Sequence, residues 1–182
     1  IRVMFRTFEK QNVNFLEILF TKYYIENPLF KDEFYELRNM GTEVVNINRN
    51  QLLRCISGMS KEKLHALEHP YPTIIHKIEK YGYDPKQLHH IIRLNEFIKR
   101  LDEGEKFEDC LVSKQRDYLD YVKRGNILLE EARKLAVEKD EETNRLRLKM
   151  SYEQDMIAKS VIADLYDLLA RIVKKSFRME LA

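Results

Sequence analysis

On a helix beginning at Asp84, the residues Lys86, His90, Arg93 and Phe97 fall at i, i+4, i+7 and i+11. At about 100° per residue they share one narrow stripe. An ammonium, an imidazole and a guanidinium in a row suit a polyanion. Arg grips phosphate through its fork, Lys acts as a point charge, and His is a tunable donor. Leu88, Ile91, Ile92, Leu94, Ile98 and Leu101 lie together on the broad opposite face. The same pattern is also the ordinary design of an amphipathic helix with a solvated side, so spacing alone leaves both readings open.

The remaining chemistry-bearing residues are less organised. His65, His69 and His76 are scattered, and the adjacent His89 and His90 leave a helix about 100° apart, so no metal site is expected. Cys110 has no local His or basic partner to lower its pKa, which argues against a nucleophilic role. Tyr23-Tyr24, beside Lys22, reads as a stacking platform or an exposed turn.

Stepping outward from the stripe, the periodicity is helical nearly throughout. Val3, Met4, Phe5 and Phe8 fit one buried face, and Val13, Phe15, Leu16, Leu19 and Phe20 a second, shorter one. Asn27-Pro28 and Asp84-Pro85 each pair an N-cap with Pro at the first helical position. Gly41 reads as a helix stop, 43–47 as the one strand-like piece, and Gly58 as a break between helices over 50–56 and 60–67. Further helices are expected over 73–81, 84–101 and 113–124, with Asn126 starting the next. The final helix, 157–177, is apolar on one side and ends in Arg171, Lys174, Lys175 and Arg178. The expected fold is all-α, an irregular multi-helix domain of about eight to ten helices. Its main body covers 1–145, and 146–182 forms an amphipathic helix packed on it or at an interface.

Composition agrees with that class. The 182 residues are 34% charged and 44% apolar, with only five Gly and four Pro, which excludes both a disordered tail and a turn-dense all-β fold. The formal charge is +2, so no global field demands nucleic acid or an acidic membrane. Two cysteines, Cys55 and Cys110, are too few for a disulfide scaffold, and a reducing, cytoplasmic setting is expected. No uninterrupted apolar run of about 18 residues is present, so no membrane span is expected. The chain opens Ile1-Arg2-Val3-Met4-Phe5, inside an amphipathic pattern and without an initiator Met, and is expected to be a fragment of a longer protein.

The series Gly82, Tyr83, Asp84, Lys86, His90, Arg93, Leu94 (Gly-Tyr-Asp-x-Lys-x-x-x-His-x-x-Arg-Leu) resembles the predicted nucleotidyltransferases of the DNA polymerase β superfamily. Two flanking stretches agree and fall in that family's order. Asn12-Val13-Asn14-Phe15-Leu16-Glu17-Ile18-Leu19-Phe20 resembles its "NPNVLELLF" segment, with Val13 where Pro is usual. Residues 116–125, Arg-Asp-Tyr-Leu-Asp-Tyr-Val-Lys-Arg-Gly, resemble its basic-Asp…Arg-Gly segment, followed as here by an acidic helix start (Glu130-Glu131). The resemblance covers about residues 1–142.

It implies an enzyme that moves a nucleotide from an NTP to an acceptor with Mg²⁺. Lys86, His90 and Arg93 would contact the triphosphate or the acceptor's phosphate, and Lys123 and Arg124 would be secondary contacts. Tyr83 would stack on a base or sugar, and Asp84 would cap the helix whose N-terminal dipole faces the anion. Arg116-Asp117 reads as a further phosphate contact or as an internal salt bridge. The sequence departs from the family in its catalytic carboxylates. No two Asp are separated by one residue, Ser57-Gly58 is in the wrong order, and Glu103-Gly104-Glu105 follows no strand. Those carboxylates hold the metal ions of the reaction, so no catalytic residue and no metal ligand is expected within the chain. The implied partners are an NTP and an RNA or other phosphate-bearing acceptor, with a homodimer through the last helix as an option. The competing expectation is a non-catalytic helical module that binds RNA or protein.

Overall fold

The helix that starts after Asp84 carries a broad apolar face, and the second of two units is built around it. The computed structural model describes residues 2–151 and 159–180, with side chains over 6–151 and 159–177. Among the described residues there are eleven α-helices and no strand. In chain order they are α1 (Arg2–Glu9), α2 (Val13–Leu16), α3 (Lys31–Asn39), α4 (Gly41–Val45), α5 (Arg49–His65) and α6 (Ile75–Tyr81). They continue with α7 (Pro85–Asp102), α8 (Phe107–Cys110), α9 (Arg116–Lys123), α10 (Leu129–Ser151) and α11 (Lys159–Glu180). None of the helices is long and apolar enough to cross a membrane, among the described residues.

The chain divides into two compact units, Ile1–Leu52 with Gln154–Ala182, and Leu53–Glu153. The boundaries fall near the start of α5 and after α10.

In the first unit, Gln11 holds the turn after α1. It sits in the left-handed region (φ 50°), and its buried amide donates to the Phe8 carbonyl at 2.9 Å and the Val44 carbonyl at 2.9 Å. Asn27 and Pro28 start a 3-10 turn as their types predict, with Asn27 Oδ1 accepting from Leu29 N. The strand-like piece at 43–47 is helical to Val45 and a turn at 46–47 instead. Val44, Val45 and Ile47 are all buried, and burial decides the backbone of so short a segment over β-propensity. Helix α3 ends at Asn39, just before Gly41 as expected, and Gly41 itself opens α4, where a Cβ would come within 3.2 Å of the Phe20 ring. In α11, Leu165, Leu168 and Leu169 repeat at i, i+3, i+4 and are fully buried; the helix packs on α3 and α4. Arg171 and Lys175 pair with Glu36 and Glu33 of α3. The last helix therefore docks within its own unit, and two cations of its basic end face carboxylates. The side chains of Val3, Met4, Phe5 and Arg178, and the residues 157 and 158, lie outside the described set.

The second unit is organised by α7, which packs on α10, α9 and α8. Its core joins Leu88, Ile91 and Ile92 of α7 to Leu67, Tyr83, Leu119, Val122, Ile127, Ala132 and Ala136. Gly58 does not break a helix: α5 runs through it, and Ser60 is buried inside the helix, donating to Asp140 Oδ1 at 2.6 Å. A single Gly weakens a helix by only about 1 kcal/mol, which the packing on either side outweighs. Phe97, at the end of the cationic stripe, is buried against Phe107 with ring centroids 5.3 Å apart. The stripe thus ends at Arg93. The next helix starts at Leu129 rather than Asn126, whose side chain instead bonds back to the Tyr121 carbonyl.

Candidate functional site

Asp84 and Pro85 start α7 in the manner their residue types dictate. Asp84 is in the extended region, and its Oδ1 accepts from Lys86 N at 3.1 Å. The carboxylate is almost fully buried and also receives Lys77 Nζ at 3.2 Å and Gln87 Nε2 at 3.1 Å. The positive end of the helix dipole is therefore answered internally by Asp84. Tyr83 is likewise turned inward. Its ring is fully buried, and its hydroxyl donates to the Ile127 carbonyl at 2.9 Å. Burial, followed by the charge of Glu131, pushes that hydroxyl up to about 12. The stacking role expected for Tyr83 is corrected to a core role: a ring with no exposed face cannot stack on a ligand.

Lys86, His90 and Arg93 do come together on the outer side of α7. Lys86 is exposed, while His90 and Arg93 are half-buried. The Arg93 Nη2 group reaches the Leu111 carbonyl at 3.4 Å. His89, which the stripe omitted, belongs with them: the two imidazoles stand edge to face, 5.3 Å apart. Burial, then His89, Lys86, Arg93 and Lys63, drive the His90 pKa down to about 4. The His89 pKa is lowered by burial, Lys123 and Arg93, with Asp120 acting in the opposite sense. Both imidazoles are therefore neutral near pH 7 and act as hydrogen-bonding groups rather than as charges. Lys123 ends α9 and Arg124 is its C-cap; both are exposed. Lys123 is close enough to act on His89, whereas Arg124 sits where a cation offsets the negative helix end. Arg116 and Asp117 are exposed in the first turn of α9 and form no ion pair with each other among the described residues.

The second half of α7 holds the wall opposite. Arg100 is buried and binds Glu105 through Nε (3.0 Å) and Nη2 (2.7 Å), the Val112 carbonyl (2.8 Å) and the Asp109 carbonyl (2.7 Å). Glu96, also buried, accepts from the Ser113 hydroxyl and from Lys114 N at 2.7 Å. With Arg100 and Lys114 against it, the Glu105 carboxyl is lowered to about 2. These contacts fix the segment between α8 and α9. Between that segment, α7 and α9 opens a groove of about 410 Å³, lined by His89, Arg93, Leu111, Val112, Ser113, Arg116, Leu119 and Asp120.

Sequence reasoning missed Asn95, which a helical wheel puts on the apolar side, and Glu96 and Arg100, which it puts at the border and on the stripe side where solvent exposure is the default. Asn95 is buried and donates to Thr143 Oγ1 at 3.2 Å. The available signals were Asn95 interrupting the apolar face and Arg100 standing i+7 from Arg93. Among the described residues, no group of three or more His, Cys, Asp or Glu side chains is placed to hold a metal ion. Cys110 is buried, and its thiol is pushed up to about 11 by that burial, which keeps it protonated and unreactive. Comparison with known protein families, characterised proteins and solved structures finds no match to this chain.

Proposed function

We propose that this chain is the helical, nucleotide-binding portion of a Mg²⁺-dependent nucleotidyltransferase, working in the cytoplasm. It positions an NTP and a phosphate-bearing acceptor such as RNA, while the catalytic carboxylates come from outside these 182 residues. The described residues do not fit a magnesium site, so no step of the reaction is assigned to a metal here.

The observation that supports this reading is the set of charges around α7. Of the groups that bear most on His89 and His90, Lys63, Lys86, Arg93 and Lys123 are cationic, and Asp120 alone is acidic. Lys63 is paired with Glu62 at 2.9 Å, as other cations of the second unit are with carboxylates in Lys99–Glu142, Arg133–Glu68 and Lys149–Asp102. Cations beside neutral imidazoles make the surface around α7 locally positive, which a phosphate complements. Such a site recognises a polyanion through Lys86 and Arg93, with His90 as a neutral donor or acceptor.

Calorimetric titration of the chain with ATP and Mg²⁺ tests the proposal. Each lost charge-assisted bond to phosphate removes about 1.5 kcal/mol or more, so Lys86→Ala and Arg93→Ala should each weaken binding about tenfold. Affinity untouched by both substitutions overturns the reading. Steeply salt-dependent RNA binding that ATP does not compete for would favour the non-catalytic RNA-binding module instead.

A further inference from the structure

On α5 the buried side chains of Leu53, Ile56 and Ser60 fix the inner face of the helix. On the opposite side Arg54, Gly58, Lys61 and His65 fall within about 60° of one another, and all four are exposed. Among the described residues neither Arg54 nor Lys61 forms an ion pair, and Glu62, at the border of the row, is taken up by Lys63 at 2.9 Å. The cations of Arg54 and Lys61 are thus left to solvent.

Gly58 is the unusual member of the row. Apart from Pro, Gly is the poorest helix former, yet α5 carries it in mid-helix. A Cβ added there meets nothing within 4 Å, so no neighbour in the fold requires its absence. What a missing side chain provides at an exposed helical position is close access to the backbone from outside. With Arg54 one turn before and Lys61 one turn after, the ligand that gains most from that access is a polyanion. A partner helix crossing at Gly58 would have to answer both cations with carboxylates of its own. At 1.5 Å per residue Arg54 and Lys61 stand about 10.5 Å apart along the axis. That is the run of about three phosphates in a stacked strand, at about 3.4 Å each.

Past Lys61 the row leads to aromatic rings. His65 stacks on His69 with ring centroids 6.2 Å apart and planes 23° from parallel, and the Tyr71 ring follows 4.2 Å from that of His69. All three side chains are exposed. Cations leading to open ring faces are the composition that holds single-stranded nucleic acid, whose bases are free to stack on a protein as paired bases are not. Lys63, on the same helix, lies close enough to act electrostatically on His90, so α5 adjoins the helix that carries Lys86 and Arg93.

We propose that the outer face of α5 is a track for single-stranded nucleic acid. The strand's backbone crosses Gly58 with its phosphates on Arg54 and Lys61, and a base stacks on the rings of His65, His69 and Tyr71. The track gives the acceptor of the nucleotide-binding reading the form of a strand, and rests on that reading for its part in the reaction. The binding itself uses none of the α7 residues.

The test is fluorescence anisotropy of a labelled short single-stranded RNA, the DNA of the same sequence, and the RNA duplex, each titrated with the 182-residue chain over a range of salt. The single strands should bind in preference to the duplex. Arg54→Ala and Lys61→Ala should each weaken binding and take about 0.7 off the slope of log K against log salt. Gly58→Ala changes no charge and should leave that slope as it is, yet lower affinity about fivefold because the new methyl holds the strand away. Tyr71→Ala should lower affinity by about fivefold or more through lost stacking, again without changing the slope. Lys134→Ala removes an exposed cation of α10 outside the row, and should hold affinity within about twofold. Thermal melts establish that the variants fold, and Gly58→Ala should melt above the parent, so its lost affinity cannot come from unfolding. Preference for the RNA or for the DNA strand identifies which of the two the track serves. Four results would each overturn it: no strand bound at low salt, the duplex bound as tightly as the single strands, Gly58→Ala binding as the parent does, or Lys134→Ala costing as much as Arg54→Ala and Lys61→Ala. Calorimetric ATP titration separates the two readings. ATP binding that depends on Lys86 and survives loss of the track leaves the nucleotide-binding reading standing, and strand binding by a chain that takes up no ATP leaves the track standing without it.

Discussion

Replacing Tyr83 with Phe separates two readings of the most motif-like residue in the chain. The ring is fully buried in the core of the second unit, among Leu88, Ile91, Val122 and Ala132. Its hydroxyl makes one buried bond, 2.9 Å to the carbonyl of Ile127. Tyr83→Phe keeps the ring and its packing, so no cavity forms. What is lost is the bond, and the Ile127 carbonyl is left buried without its donor. Together these amount to about 1–2 kcal/mol. For a cooperative unit of about 100 residues that is a drop in Tm of roughly 5–10 °C. Ala at the same position would add a cavity term of about 3–5 kcal/mol and unfold much of the unit, so lost binding in Tyr83→Ala would say nothing about contact with ligand.

The assay is a paired one: a thermal or urea melt for stability, and a calorimetric ATP titration well below the melting transition. The expected result is lower stability with ATP affinity unchanged within about twofold. Burial raises the hydroxyl pKa to about 12, so the stability difference should hold up to about pH 10. A normal melt with weakened nucleotide binding would refute the argument, since it would require the Tyr83 hydroxyl to meet ligand.

Gly58→Ala, inside α5 where an added Cβ meets nothing within 4 Å, should stabilise the second unit by up to about 1 kcal/mol in a urea melt. Gly125→Ala should do the reverse: φ is +79° and the new Cβ falls 2.4 Å from the Tyr81 ring, so a loss of about 2 kcal/mol or more is expected, partly relieved by adding Tyr81→Ala. The His90 pKa is depressed in the fold, to about 4 from 6.5; the unfolded chain therefore takes up a proton first as pH falls, and stability declines between about pH 6.5 and 4. His90→Gln should flatten that limb of a pH–stability curve while leaving the steeper loss below about pH 4.5, where lowered carboxyls such as Glu105 and Glu142 protonate. Lys86→Ala should raise Tm at low salt by relieving repulsion on α7, and the gain should fade at high salt.

What the sequence made legible was whatever local chemistry decides. Asp84 and Pro85 set the start of α7 by an N-cap bond two residues long and a fixed φ, and Asn27-Pro28 did the same for its turn. The apolar period of α7 and of α11 named their buried faces correctly, because a helix with one apolar side has few ways to hide it. The misreadings are of another kind. Residues 43–47 look like a strand and Gly58 looks like a stop only until the rest of the unit packs around them. Phe97 joined the stripe by angle alone, since its partner Phe107 comes from α8, beyond the turn that follows α7.

The same distinction explains why the site was half visible. Lys86, His90 and Arg93 lie on one helix, and 3.6-residue geometry is enough to group them. The groove needs three elements. Arg116 and Asp120 come from α9, and the Leu111–Ser113 wall is placed by Arg100 and Glu96 reaching across from α7. A buried guanidinium with four acceptor contacts and a buried carboxylate capping another segment are expensive features, because each group must recover its lost hydration through those bonds. Here they hold the Leu111–Ser113 wall beside Arg93, so two charged residues turned inward at and next to the stripe side of α7, which a helical wheel would leave to solvent, shape the groove.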